Sequence, residues 1–332
     1  MRSIAFFNNK GGVGKTTLLC NVAASLARKS FKRVLVVDAD PQCNATSYVI
    51  GENAIEKLYS KESRMTVDAY LDSVSRGKGY KEDLETVRSG GRFGFDIIPG
   101  DPKLALREDF LASDWKDATA GDERGLKSNF VFKGLLQQCK NYDYVFFDVG
   151  PSLGALNRSV LLSCDYFLMP MTADVFSVMA IKNIGESLKS WRRKLDRGLE
   201  DYADEYGHDY LLDGQKVGLK IQYMGYVSQQ YKSKTQQGVE QPVKAYERIL
   251  KKINPAVSLS LKQWAAEKLD LKNPQIGKVK NLHSLVPLSQ SANCPVFELT
   301  GDDGVVGGHF ASVKAADDIF AQVASEIERI TE

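Results

Sequence analysis

One stretch limits what this chain can fold into more than any other: Lys10-Gly11-Gly12-Val13-Gly14-Lys15-Thr16-Thr17. It follows an apolar run that predicts a strand over Ser3–Asn8, and it opens an amphipathic run that predicts a helix from about Lys15 to Lys29. Glycine lets the chain curl tightly between strand and helix, and the curl turns several backbone N–H groups toward one point. The helix start adds unpaired N–H groups and the positive end of its dipole. Such a loop is built to hold a polyphosphate. Lys15 supplies a point charge for the β- and γ-phosphates, and the Thr16 hydroxyl is suited to ligate Mg²⁺.

The remaining chain continues the alternation that this loop begins. Short apolar runs at Arg33–Asp38, Phe95–Pro99, Tyr144–Val149, Asp165–Pro170 and Lys220–Val227 read as strands. Val34–Val37 is continuously apolar, as a strand covered on both faces would be. Helices are expected over Lys127–Lys140, Leu156–Ser163, Phe176–Arg197, Gln241–Ile253 and Gly308–Ile330. The expected class is α/β, a mostly parallel twisted sheet flanked by helices. Two stretches interrupt the pattern. Tyr48–Phe93 is polar and carries Gly77, Gly79, Gly90 and Gly91, which predicts a partly helical elaboration with loops. Gly198–Gln215, with Glu200, Asp201, Asp204, Glu205 and Asp209, predicts an acidic surface excursion. Neither has the Pro/Ser character of a linker and no repeat is visible, so residues 1–332 are expected to form one domain. No apolar run reaches the roughly 18 residues of a membrane span, and the N-terminal apolar stretch is too short for a signal peptide. Cys20, Cys43, Cys139, Cys164 and Cys294 are scattered and form no C-x-x-C pair, so they read as reduced thiols in a cytosolic protein.

The second strand ends in Asp38-Ala39-Asp40-Pro41-Gln42-Cys43-Asn44-Ala45-Thr46. Carboxylates at the C-terminal end of a parallel strand fall in the crevice where such folds bind ligands. Alternation along an extended chain places Asp38 and Asp40 on the same side, in reach of a Mg²⁺ ion or an attacking water. Tyr144-Val145-Phe146-Phe147-Asp148 is a buried strand that delivers a carboxylate to its polar tip, as a metal requires. Thr16 and Asp148, with Asp38 or Asp40, are therefore the groups in reach of a metal.

These residues resemble the ParA/MinD family of ATPases, and most closely the ParA/Soj-type partitioning ATPases. Asn9 stands where the plain phosphate-loop pattern has its first Gly and Lys10 follows, as in that family's deviant Walker A loop. Asp38–Thr46 resembles the family run D-x-D-P-Q-x-N-A-T, with Cys43 in place of the usual Gly. Asp148-Val149-Gly150-Pro151-Ser152-Leu153-Gly154 resembles D-x-P-P-S-L-G, the second switch, with Gly150 replacing the first Pro; that change should loosen the loop. Ile97-Ile98-Pro99, Phe167–Pro170 and Phe176–Ala180 extend the likeness, which covers residues 1–195 well and the rest loosely. The resemblance implies a P-loop NTPase fold, ATP and Mg²⁺ as cofactors, and hydrolysis to ADP and phosphate in an ATP-dependent sandwich homodimer. It implies that Lys10 reaches the partner's phosphates, that Asp40 orients the hydrolytic water and that Asp38 supports the Mg²⁺ shell. Lys10, Lys15 and Asp40 are thus the catalytic candidates, and Lys10 through Thr17 the nucleotide-binding ones.

What such an ATPase serves depends on its partners, and here composition matters. A formal charge of +2, from 44 Lys+Arg against 42 Asp+Glu, excludes a strongly basic chain but can hide a local patch. Lys182, Lys189, Arg192, Arg193, Lys194 and Arg197 stand against Glu186 and Asp196, and Lys244, Arg248, Lys251 and Lys252 against Glu247. Two such helices, one from each subunit, could contact DNA phosphates without reading sequence; the plain alternative is a solvated helix face. The resemblance implies a ParB-like or adaptor partner and a cytoplasmic protein that associates with the nucleoid if it binds DNA. A membrane role is disfavoured, because Ser325–Glu332 is an acidic terminus unsuited to anionic lipid. The competing reading is a nucleotide switch that acts through a protein partner without DNA. A small-molecule ligase would need a substrate motif that is not visible, and an iron–sulfur reductase would need cysteines at the dimer face, where Cys139 and Cys164 do not fall.

Overall fold

The computed structural model describes the chain apart from residues 62–63, 83–84, 89–90, 232, 237–238 and 243. Its strands are β1 (Arg2–Phe6), β2 (Val34–Asp38), β3 (Val87–Arg88), β4 (Asp96–Ile98), β5 (Tyr144–Asp148), β6 (Tyr166–Thr172), β7 (Leu211–Leu212), β8 (Gln215–Lys216), β9 (Gln222–Tyr231), β10 (Ser233–Gln236), β11 (Val239–Pro242) and β12 (Gln275–Lys280). Its α-helices are α1 (Lys15–Lys29), α2 (Asn44–Val49), α3 (Glu52–Tyr59), α4 (Val67–Ser75), α5 (Arg107–Ala118), α6 (Glu123–Asn129), α7 (Val131–Gln137), α8 (Ala155–Ser163), α9 (Val175–Tyr206), α10 (Lys244–Ser260), α11 (Leu285–Ser291) and α12 (His309–Thr331).

Eight strands form the main sheet in the order β12-β9-β6-β1-β5-β2-β4-β3. Seven run parallel, and β3 is an antiparallel edge on β4. The apolar strands are buried throughout because helices cover both faces: every residue of β2 and β5 is buried. Register then decides the site. Phe6 and Asp38 both pair with Asp148, so the three strands end level at their C-terminal tips. The chain leaves β1 at that level and turns through the glycine loop into α1, whose Leu18, Leu19, Val22, Ala23 and Leu26 pack into the core. One contiguous core runs from Ile4 to Ile330, and α12 closes it beside α1.

Several boundaries differ from expectation for identifiable reasons. The helix expected over Lys127–Lys140 is two short helices, α6 and α7, meeting at buried Phe130; Asp122 caps the first by accepting from the Gly125 N–H at 2.8 Å. Gly198–Gln215 is not a separate excursion. Its first part is the last two turns of α9, which runs to Tyr206 and stops at Gly207 in a left-handed conformation, and only β7 and β8 form a small hairpin beyond it. The acidic side chains there are exposed, as expected. The 48–93 elaboration is partly helical through α3 and α4, on either side of the undescribed residues 62–63. Helix α5, the β10–β11 hairpin and strand β12 have no counterpart in the sequence reading.

Candidate functional site

The glycine loop is held at both ends before any ligand is considered. Asn8, fully buried at its start, donates to the Pro170 carbonyl on β6 at 2.7 Å and accepts from the Lys10 N–H at 3.1 Å. Gly12 and Gly14 take φ of 70° and 73°, which a side chain would oppose. Gly14 also has the Gln229 amide against it, 3.4 Å from where a Cβ would stand.

Opposite the loop, carboxylates converge. Thr16 Oγ1 donates to Asp148 Oδ2 at 2.7 Å. The other oxygen, Asp148 Oδ1, is buried and makes no hydrogen bond. Burial, reinforced by the Asp38 charge, pushes the Asp148 carboxyl up to about 8. Asp38 is also fully buried: Oδ2 accepts from the Thr46 N–H at 2.8 Å and its hydroxyl at 2.7 Å, and Oδ1 from the Asp40 N–H at 3.3 Å. Burial raises Asp38 to about 6 against the lowering effect of those bonds. Asp38 thus holds the segment that carries Asp40. Asp40, 5% exposed, accepts from the Gln42 N–H at 3.0 Å and faces Gly150. Lys15 is buried at the same place; burial lowers its pKa while the Asp148 and Asp40 charges oppose the shift.

Two carboxyls facing one lysine, with an orphaned Asp148 oxygen beside a threonine hydroxyl, offer oxygen donors of the kind a hard divalent cation takes. Thr16 and Asp148 are the residues that could hold Mg²⁺ there, with Asp38 at the adjacent strand tip. A cavity of about 480 Å³ opens over Lys15, Thr16 and Asp40, of ordinary size for a nucleotide-scale ligand. Beyond Gly11–Thr17 and Asp40 its wall includes Asn44, Ser47, Tyr48, Pro151 and Gln290. The last arrives from α11, far away in sequence, where no motif signals it.

Lys10 is turned to its own chain. Its Nζ donates to Thr172 Oγ1 at 3.0 Å and pairs with Asp174, which also accepts from the Thr172 hydroxyl at 2.6 Å and caps α9 through the Ser177 N–H at 3.1 Å. Partial burial works against ionisation of Asp174, but Lys10 and these bonds hold its carboxyl below the usual range. No pattern in the sequence marks Asp174 as the partner of Lys10.

Cys43, where the resembled run has Gly, sits at φ 53° and ψ 36°, in the left-handed region. That explains why glycine suits the position. Its thiol is buried and pushed up to about 12 by desolvation, and all five cysteines are free and buried. The Pro-to-Gly change at Gly150 is countered by Asn157, whose Nδ2 donates to the Gly150 and Ser152 carbonyls at 2.8 Å each.

The basic residues of α9 divide. Lys182, Lys189, Arg193, Lys194 and Arg197 are exposed. Arg192 is instead packed 3.8 Å from the centre of the Trp264 ring and donates to the Leu219 carbonyl at 3.1 Å. On α10, Arg248, Lys251 and Lys252 are exposed, while the side chains of Lys244 and Glu247 lie outside the described residues. Among the described residues no helix is long and apolar enough to cross a membrane.

A phosphate loop between β1 and α1, facing carboxylates on the tips of β2 and β5, defines the class of P-loop nucleoside triphosphatases. The family described as AAA domain matches residues 1–200, and the chain belongs to it, within the ParA/MinD group and nearest the ParA/Soj type. It is 31% identical over 202 residues to the virulence plasmid ParA family protein pGP5-D of Chlamydia psittaci, covering 59% of this chain and 66% of that protein. It is 31% identical over 196 residues to the sporulation initiation inhibitor protein Soj of Bacillus subtilis, covering 59% of this chain and 68% of that protein. The chain spans between about half and two thirds of the length of the curated relatives it matches. A crystal structure of a Corynebacterium diphtheriae protein superposes with a TM-score of 0.69 at 31% identity, covering 88% of this chain and 97% of that one.

Proposed function

We propose that this chain hydrolyses ATP to ADP and phosphate in a nucleotide-dependent sandwich dimer, and that the cycle positions or partitions DNA or another cargo. The observation that carries the reading is a cavity lined by the glycine loop, Lys15, Thr16 and Asp40, with Asp38 and Asp148 buried beside it at the paired tips of β2 and β5. Residues 1–332 act as one ATPase domain around the single core. The backbone N–H groups of Gly11–Thr17 cradle the phosphates, and Lys15 places its charge on the β- and γ-oxygens. Thr16 and Asp148, with Asp38 in support, would hold Mg²⁺, which would supply charge neutralisation at the phosphates. Asp40 orients the attacking water, kept in place by the turn it makes with Gln42. Lys10 leaves Asp174 and reaches the phosphates of the second subunit.

Steady-state ATP hydrolysis with parallel nucleotide binding tests this. Lys15→Ala should lose about two decades of ATP affinity, as expected for removing a charged hydrogen bond. Asp40→Ala should bind ATP normally and turn over about 10²-fold to 10⁴-fold more slowly. Unchanged affinity in the first, or unchanged turnover in the second, contradicts the assignment.

The cargo reading rests on family likeness and on the exposed cations of α9 and α10. A ParB-like or adaptor protein is the partner this reading expects; its alternative is a nucleotide switch that acts through a protein partner in another pathway without binding DNA. ATP-bound protein that retards duplex DNA at low salt and releases it as salt rises supports the first; ATP-dependent dimerisation with no retardation supports the second.

A further inference from the structure

Helix α8 begins without a cap of its own, since Gly154 at its start offers no side chain. Its first N–H groups go to another helix instead. Glu108 of α5 accepts from the Ala155 N–H through Oε1 and from the Leu156 N–H through Oε2, the latter at 3.0 Å. A carboxylate there also complements the positive helix end. Gly154 is what lets it approach, because a Cβ at that position would lie 2.1 Å from Glu108 Oε1.

The same face of α5 carries α8 further along. Arg158, buried on α8, lies 4.3 Å from the centre of the Trp115 ring and donates to the Leu111 carbonyl at 3.4 Å. Glu108, Leu111 and Trp115 stand at i, i+3 and i+7 and so share one stripe. Helix α8 in turn holds the loop that faces the phosphates: Asn157 binds the Gly150 and Ser152 carbonyls. Gly150 faces Asp40, where a Cβ would be 3.4 Å from Oδ1, and Pro151 lies against Gly11 of the phosphate loop. At its other side α5 is fastened to the 48–93 elaboration, through Arg107 to Asp68 at 2.6 Å and to Asp72 at 2.8 Å.

We propose that Glu108 is a positioning residue for hydrolysis: by capping α8 from outside it fixes the 149–154 loop against Asp40, and it makes the α4–α5 layer part of the catalytic support. This rests on the ATPase reading above. Glu108 touches neither nucleotide nor Mg²⁺ in this account, so its loss should move turnover and spare binding.

The test compares full-length wild type, Glu108→Ala, Glu108→Gln and Asn157→Ala for kcat, KM for ATP, nucleotide affinity and melting temperature. Glu108→Ala should lower kcat about tenfold or more, as removing a supporting partner commonly does, with KM and ATP affinity within about twofold of wild type. Glu108→Gln keeps an acceptor for α8 and should fall between, which also serves if the alanine variant does not fold. Asn157→Ala should reproduce the kcat loss, and its combination with Glu108→Gln should be less than additive, because both act on one loop. Wild-type kcat in Glu108→Gln and Asn157→Ala overturns the proposal, even if their melting temperatures fall. A wild type that does not hydrolyse ATP at all overturns the ATPase reading instead.

Discussion

Asp38 and Asp148 end adjacent strands side by side, and burial makes them hold protons that free aspartates have lost by about pH 4. The folded carboxyls are raised to about 6 and about 8, so they bind protons more tightly than in the unfolded chain. Their contribution therefore favours the folded, nucleotide-free protein at low pH and is lost as pH rises from about 4 through those values. In the proposed cycle Mg²⁺ would compete for the same oxygens, so Mg²⁺–ATP binding should release protons below about pH 8 and tighten with pH by up to about tenfold per unit for each proton released. Calorimetry at pH 6.5 in two buffers of different ionisation enthalpy reads this directly. Net proton release is expected, and equal apparent enthalpies would contradict it. At this scale the sequence marked residues wherever chemistry demands a type in a fixed spacing, and the fold brings Lys15, Thr16, Asp40 and Asp148 together. Asp174 was not legible: it meets Lys10 across 164 positions, and only the adjacency of β1 and β6 brings the two together.

Among the elements, α9 shows how a propensity argument goes astray. Glycine is a poor helix former, so Gly198 suggests an end. In the fold it lies mid-helix because α9 crosses the end of α5 there, and a Cβ would be 2.2 Å from the Ala118 carbonyl oxygen. Gly198→Ala should then destabilise the protein by about 1–3 kcal/mol, the usual effect of overpacking, although alanine favours the helix itself. Urea denaturation measures it, and an unchanged or higher midpoint would contradict the crossing. Strands were more legible than helices because continuous apolar runs can be buried on both faces only within a covered parallel sheet. Helix α5 was missed because only Leu111, Asp114, Trp115 and Ala118 of its twelve residues are buried, too sparse a stripe to read from Arg107–Ala118.

For the whole molecule, parallel topology is what turns separate motifs into a site. With β1 between β5 and β6, the phosphate loop emerges level with the tips that carry Asp38 and Asp148, while β6 runs four residues further to Thr172 beside Lys10. The near-zero net charge hides exposed cations on α9 and α10 and exposed acids at the end of α9. Lys10 immediately precedes the cavity-lining Gly11 and is paired to Asp174 within its own chain. The proposed cycle needs that lysine to change partners when a second subunit closes on ATP. The most direct measurement is sedimentation equilibrium of Asp40→Ala, which should retain ATP, with Mg²⁺–ATP and with Mg²⁺–ADP. The account predicts a dimer with ATP and a monomer with ADP, and loss of the ATP dimer when Lys10→Ala is added. A monomer under both nucleotides, or an ATP dimer that ignores Lys10, would contradict it.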